Sequence, residues 1–113
     1  MSKELALAQH FNVAVSEISE TQQDVFECES EPGEYLILTD DEANTAWDEE
    51  LDYYIDDCIL PELPEAYRSY FDSESWKRDA KISDGRGHAL SSYDAKEYEE
   101  KADGVWYYIY RVN

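Results

Sequence analysis

Between Lys3 and Arg68 the chain contains nineteen carboxylates and no lysine or arginine. Charge of one sign on that scale repels itself and opposes compaction, so it restricts which surfaces these residues can form. The remaining segment, residues 68–113, carries eight basic and nine acidic residues and is nearly neutral. Counting Lys3, the first 67 residues therefore carry -18 of the formal charge of -19. Such an asymmetry points to one electrostatic face more than to general solubility.

The concentration is greatest in residues 39–60, TDDEANTAWDEELDYYIDDCIL, where nine of twenty-two positions are Asp or Glu. The spacing predicts one long helix there. Thr39 and Glu42 match a capping box, and Asp40 and Asp41 sit where the helix dipole favours anions. Trp47, Leu51, Tyr54, Ile55 and Cys58 recur at helical spacing and form a face expected to pack on a sheet. Pro61 and Pro64 end the helix. Asp48, Asp52 and Asp56 are successive i,i+4 neighbours, and each like-charge pair costs a helix on the order of 0.2–0.5 kcal/mol. Capping accounts for Asp40 to Glu42 but not for the acids from 48 to 57. Residues 41–57 hold eight acids over about 25 Å of helix, roughly one per 3 Å. A phosphate strand carries one charge about every 3.4 Å.

Around this helix the pattern is that of a small α+β domain, an antiparallel sheet packed by the long acidic helix. An aromatic content of 14%, with ten Tyr and three Trp, argues against disorder. KELALAQHF (3–11) reads as a helix stopped by Asn12, and VAVSEISE (13–20) as a second short helical stretch. LAQHFNVAVSEI resembles the start of a helix-turn-helix unit, but it carries no cation for phosphates and reads as a helical hairpin. Residues 1–22 are thus expected to be a helical N-terminal arm on an α+β core of residues 23–113. DVFECES and EYLILT flank Pro32-Gly33 as a β-hairpin. VWYYIYRVN is the clearest strand, expected to pair with YLILT or with a strand near HALSSYD. Helices are expected from Pro64 and near Ser73, a loop over SDGRGHALSSYD, and a polar surface segment over AKEYEEKADG.

Chemistry is sparse. Cys28 and Cys58 lie thirty residues apart without a C-x-x-C or zinc-spaced histidines, and read as buried, unreactive thiols. His10 and His88 are isolated, and no P-loop, G-x-S-x-G, H-E-x-x-H or EF-hand spacing occurs. No apolar run reaches the roughly 18 residues of a membrane span. The expectation is a soluble, intracellular, non-enzymatic protein with no cofactor and no metal beyond weak, nonspecific cation binding.

EYLILTDDEANTAWDEELDYYIDDCILPELPEAYRSYF, GRGHALSSYD and the ending YYIYRVN resemble a family of small acidic proteins of tailed bacteriophages, from about Glu34 onward. In class, size and charge are similar to phage anti-defence inhibitors, the anti-restriction DNA mimics and acidic anti-CRISPR proteins. The resemblance implies an accessory protein acting in the host cytoplasm, without direct nucleic-acid or membrane binding. It would inhibit stoichiometrically by occupying the cationic groove of a bacterial nucleic-acid-binding protein. Asp48, Glu49, Asp52, Asp56 and Asp57 would substitute for phosphates, with Asp41, Glu42 and Glu50 at the edges and Tyr53 adding contact area. The alternative is a regulatory or adaptor domain that binds one host protein through shape and aromatic surface, its acidity serving solubility.

Overall fold

The computed structural model describes residues Ser2–Asn113 and shows an α+β fold with a five-stranded antiparallel sheet. Its elements are α1 (Ser2–Phe11), β1 (Ile18–Gln22), β2 (Val25–Cys28), β3 (Glu31–Thr39), α2 (Asp40–Tyr54), α3 (Ser73–Ser83), α4 (Arg86–Leu90), β4 (Tyr98–Ala102) and β5 (Val105–Arg111). The strand order is β1-β2-β3-β5-β4. The C-terminal strand β5 is interior, between β3 and β4, with Leu36, Ile37 and Leu38 of β3 opposite Tyr110, Ile109 and Tyr108.

Alternation along β3 and β5 divides the core in two. Tyr35, Ile37, Tyr107 and Ile109 face α1, where Ala6, Leu7 and Ala8 are buried with Phe26, Cys28 and Ala102. Leu38 and Tyr110 face the other way and pack with Ala43 of α2 and Leu90 of α4, supported by Leu36, Ala46 and Tyr108. The long helix therefore rests on the sheet through its small early residues.

Asn12 ends α1 in the left-handed region (φ 56°). Val13 N–H donates to the Ala8 carbonyl and Asn12 N–H to that of Gln9, the double bond of a Schellman turn. VAVSEISE is not a second helix. After one 3₁₀ turn at Val15–Glu17 it becomes edge strand β1, paired with β2 from Ile18↔Cys28. The expected N-terminal helix is present as α1, and its Ala6, Leu7 and Ala8 are buried against the sheet. AKEYEEKADG contributes the opposite edge strand, β4, closed onto β5 by Asp103 (φ 52°) and Gly104 (φ 77°) as a two-residue hairpin turn. Within SDGRGHALSSYD the expected loop contains α4.

The 39–60 helix is α-helical only to Tyr54. A π turn at Ile55–Ile59 and a 3₁₀ turn at Leu60–Glu62 carry it to Leu63, and 3₁₀ turns replace the helix expected from Pro64. The side chain of Asp72 caps α3, accepting from Ser75 N–H at 3.0 Å. Apart from Leu63, residues 61–70 are exposed. Five strands at about 4.8 Å give a sheet roughly 24 Å wide, and nine residues at about 3.3 Å a longest strand of roughly 30 Å. The molecule nevertheless extends over 56 × 25 × 21 Å. No described helix is long and apolar enough to cross a membrane.

Candidate functional site

The acids of α2 divide into those paired by cations from elsewhere in the chain and those left in water. At the N-terminus the capping box is complete. Thr39 Oγ1 accepts from Glu42 N–H at 3.3 Å, and Glu42 Oε1 accepts from Thr39 N–H at 2.9 Å. Lys3 of α1 also reaches Glu42 (2.9 Å) and Asp24 (2.7 Å). The Lys3 hydrogen bond, then that from Thr39, holds the Glu42 carboxyl below its ordinary range. Asp40 pairs with Arg86 at 2.9 Å, and Arg86 also holds Glu97 (3.0 Å) and lies over the Tyr108 ring at 4.6 Å.

Asp48 and Asp52 face α3. Lys77, only 6% exposed, donates to Asp48 at 3.1 Å. Its ammonium also lies 3.0 Å from Asp52 and 3.3 Å from Glu74. Lys81 binds the other Asp48 oxygen at 3.1 Å and sits 5.4 Å from the Trp47 ring centre. Hydrogen bonds from Lys81 and then Lys77 depress the Asp48 pKa. Those to Asp52 first, and then to Asp48 and Glu74, raise that of Lys77 in spite of its burial. The i,i+4 pair Asp48/Asp52 thus meets the i,i+4 pair Lys77/Lys81. The repulsion expected between these two acids is relieved across the helix interface.

Asp41, Glu49, Glu50, Asp56 and Asp57 are exposed and, among the described residues, form no salt bridge. Tyr53, 67% exposed, stands with them, and the charge of neighbouring Asp57 pushes its phenol up. Glu49 is a ridge between two shallow concavities. One, about 430 Å³, is lined by Asp24, Leu38, Asp41 and Thr45, and the other, about 540 Å³, by Leu36, Glu50, Tyr53 and Leu90. With Glu42, Asp48 and Asp52 paired, five carboxylates remain over about 25 Å of helix, or one per roughly 5 Å. That is sparser than a phosphate strand, and it is clustered as Glu49/Glu50 and Asp56/Asp57, about 10 Å apart at 1.5 Å per residue.

The Trp47, Leu51, Tyr54 face does not pack on the sheet. It turns to α3 and α4, and Tyr54 stacks on Trp76 with ring centres 5.6 Å apart and planes 10° from parallel. Ile55 of that face is buried, whereas Cys58 is exposed, so only Cys28 is a buried thiol. Sequence reasoning passed over Lys77, Lys81, Trp76 and Arg86, although the matching i,i+4 spacing of the first two was there to read. His10 lies 3.5 Å from Glu100 between the rings of Phe11 and Tyr98, a structural position. Among the described residues no group of three or more His, Cys, Asp or Glu is arranged to hold a metal. No protein-family model, curated protein or solved structure matches this chain.

Proposed function

We propose that the protein works by binding, presenting the outer face of α2 to the cationic groove of a bacterial nucleic-acid-binding protein and blocking it stoichiometrically. The observation that carries this reading is the set of five exposed carboxylates, Asp41, Glu49, Glu50, Asp56 and Asp57, that form no salt bridge among the described residues. The chain uses Lys3, Lys77, Lys81 and Arg86 to neutralise the other acids of α2 and leaves these without a salt bridge among the described residues. A groove built to exchange counterions for phosphates would meet anionic charge here too, sparser than that of a phosphate strand. The resemblance to small acidic phage proteins makes a CRISPR effector or a restriction enzyme, in the cytoplasm of an infected bacterium, the first target to try. Glu49, Glu50, Asp56 and Asp57 make the phosphate-like contacts, with Asp41 at the edge and Tyr53 adding area. Asp48, Asp52 and Glu42 hold the helix in place.

The test is a pull-down from bacterial lysate on the immobilised protein, eluted in salt steps and repeated with excess duplex DNA. Capture of a nucleic-acid-binding protein that DNA displaces supports mimicry. The quadruple variant Glu49→Gln, Glu50→Gln, Asp56→Asn, Asp57→Asn should then lose it while remaining folded. A partner that survives both DNA and high salt overturns mimicry and favours an adaptor. That second reading has its own support in Tyr53, Tyr54, Tyr67, Tyr70 and Ile82, all at least half exposed.

A further inference from the structure

Between α2, α3 and α4 lies a groove of about 370 Å³ whose walls include Trp47, Tyr54 and Trp76, with Glu50, Asp84 and His88 along them. Its volume falls at the lower end of ligand sites, which run about 300–1,000 Å³. Large aromatics normally bury themselves, yet Tyr54 is 50% exposed and Trp47 and Trp76 are only partly covered. Trp47, Glu50, Leu51 and Tyr54 fall at i, i+3, i+4 and i+7, so one face of α2 supplies both rings and a carboxylate.

We propose that this groove receives an arginine side chain of the basic protein partner. The idea rests on the reading above only in supposing that the partner is basic. Charge complementarity selects the occupant. Glu50 and Asp84 are exposed carboxylates without a salt bridge among the described residues, so an anion is repelled and a neutral apolar ligand leaves them unused. Stacked aromatic rings attract a cation through their faces, and Lys81 over Trp47 already shows a cation lodged on one of the groove's rings. A guanidinium is flat, stacks on aromatic planes, and offers a fork of donors to carboxylates. An ammonium matches only the charge.

The three tryptophan indole N–H signals of the intact, ¹⁵N-labelled protein make a direct test, because Trp106 lies apart on β5 and serves as an internal reference. The probes are the capped tripeptide Gly-Arg-Gly and its lysine and citrulline counterparts. The arginine peptide should shift the Trp47 and Trp76 signals with an affinity on the order of millimolar and leave Trp106 still. Lysine should bind several-fold more weakly, and citrulline, which lacks the charge, not at all. Glu50→Gln and Asp84→Asn alter exposed side chains and leave the aromatic walls intact; each should weaken binding by roughly two- to five-fold. Equal shifts at all three tryptophans, equal binding of arginine and lysine, or indifference to both substitutions would reduce the effect to general acidity and overturn the proposal. A peptide that binds while the pull-down captures nothing leaves the groove standing and defeats the inhibitor reading. The reverse pattern defeats the groove alone.

Discussion

Replacing Lys77 by methionine would keep the side chain's stem and remove the one cation that Asp48, Asp52 and Glu74 share. If the pairing were wholly buried, breaking it would cost about 3–5 kcal/mol, because uncompensated charge would stay in the interior. If wholly exposed, each pair would be worth about 0.2–1 kcal/mol. Here the ammonium is buried, whereas the carboxylates of Asp48 and Asp52 are 43% and 53% exposed and that of Glu74 is 87% exposed. The freed anions can rehydrate, and the methionine refills the stem's site. What remains is two or three partly exposed pairs, plus the Asp48–Asp52 repulsion that Lys77 now relieves, itself about 0.2–0.5 kcal/mol. The expected loss is about 1–2 kcal/mol, a Tm lower by roughly 4–10 °C for a domain of this size. Because Lys77 ties α3 to α2, the α3 amides should exchange faster than those of β3 and β5, which report global unfolding. In 1 M salt, where the Debye length is about 3 Å, the repulsive part of the deficit should shrink. A Lys77→Met protein as stable as the parent, with α3 exchange unchanged, would refute the reasoning. It would mean that burying the ammonium costs as much as its three partners return, and that apolar packing alone holds α3 to α2.

Acidification acts on the same interface. Lys81 and Lys77 depress the Asp48 pKa below its unfolded value of about 3.9. Its contribution is therefore complete above about pH 4 and is lost as pH falls through the lower folded value. Trp76 fluorescence should report the loosening, and Lys77→Met should lack much of that transition. Gly87 is a steric position of a different kind. A β-carbon there would stand 2.7 Å from the carbonyl carbon of Lys96 and 2.8 Å from the nitrogen of Glu97, both backbone. Gly87→Ala should cost about 1–3 kcal/mol, a Tm fall of roughly 4–15 °C in thermal denaturation. Gly85→Ala, with nothing within 4 Å, should change stability far less. Equal effects from the two would remove the steric explanation.

The elements legible in the sequence were those that bury a periodic face or carry a terminal signal. These were α1 with its Asn12 stop, the β2–β3 hairpin, though its turn falls at Glu29–Ser30 and the expected turn residues Pro32 and Gly33 lie within β3, the capped start of α2, the start of α3 near Ser73, and β5. The two strands that were missed, β1 and β4, are the edges of the sheet. In β1 only Ile18 is buried and in β4 only Ala102. Edge strands are commonly kept polar, which prevents pairing with other chains and also erases the alternation that reveals a strand. For β4 a signal existed nonetheless in Asp103-Gly104, the dipeptide a two-residue hairpin turn prefers. The continuous 39–60 helix was overextended, because acid spacing and apolar periodicity do not distinguish α from π winding beyond Tyr54.

The acidic site was legible residue by residue but not in its partition. Counting charge along α2 treats Asp48, Asp52 and Asp56 as equivalent. The fold separates them, because α3 returns alongside α2 and brings Lys77 to Asp48 from 29 positions away. This also explains how a helix without a single cation of its own remains folded. The capping interactions and Lys3 hold its first turn, Arg86 reaches Asp40, and Lys77 and Lys81 relieve its middle. Asp41 lies in the first turn, where the helix dipole favours an anion, so Glu49, Glu50, Asp56 and Asp57 are the acids of this stretch that keep the cost of one-signed charge unrelieved. Stability alone would favour replacing those residues, since surface acids at i,i+7 and at adjacent positions add repulsion and no packing. Their neutral variants should therefore be at least as stable as the parent.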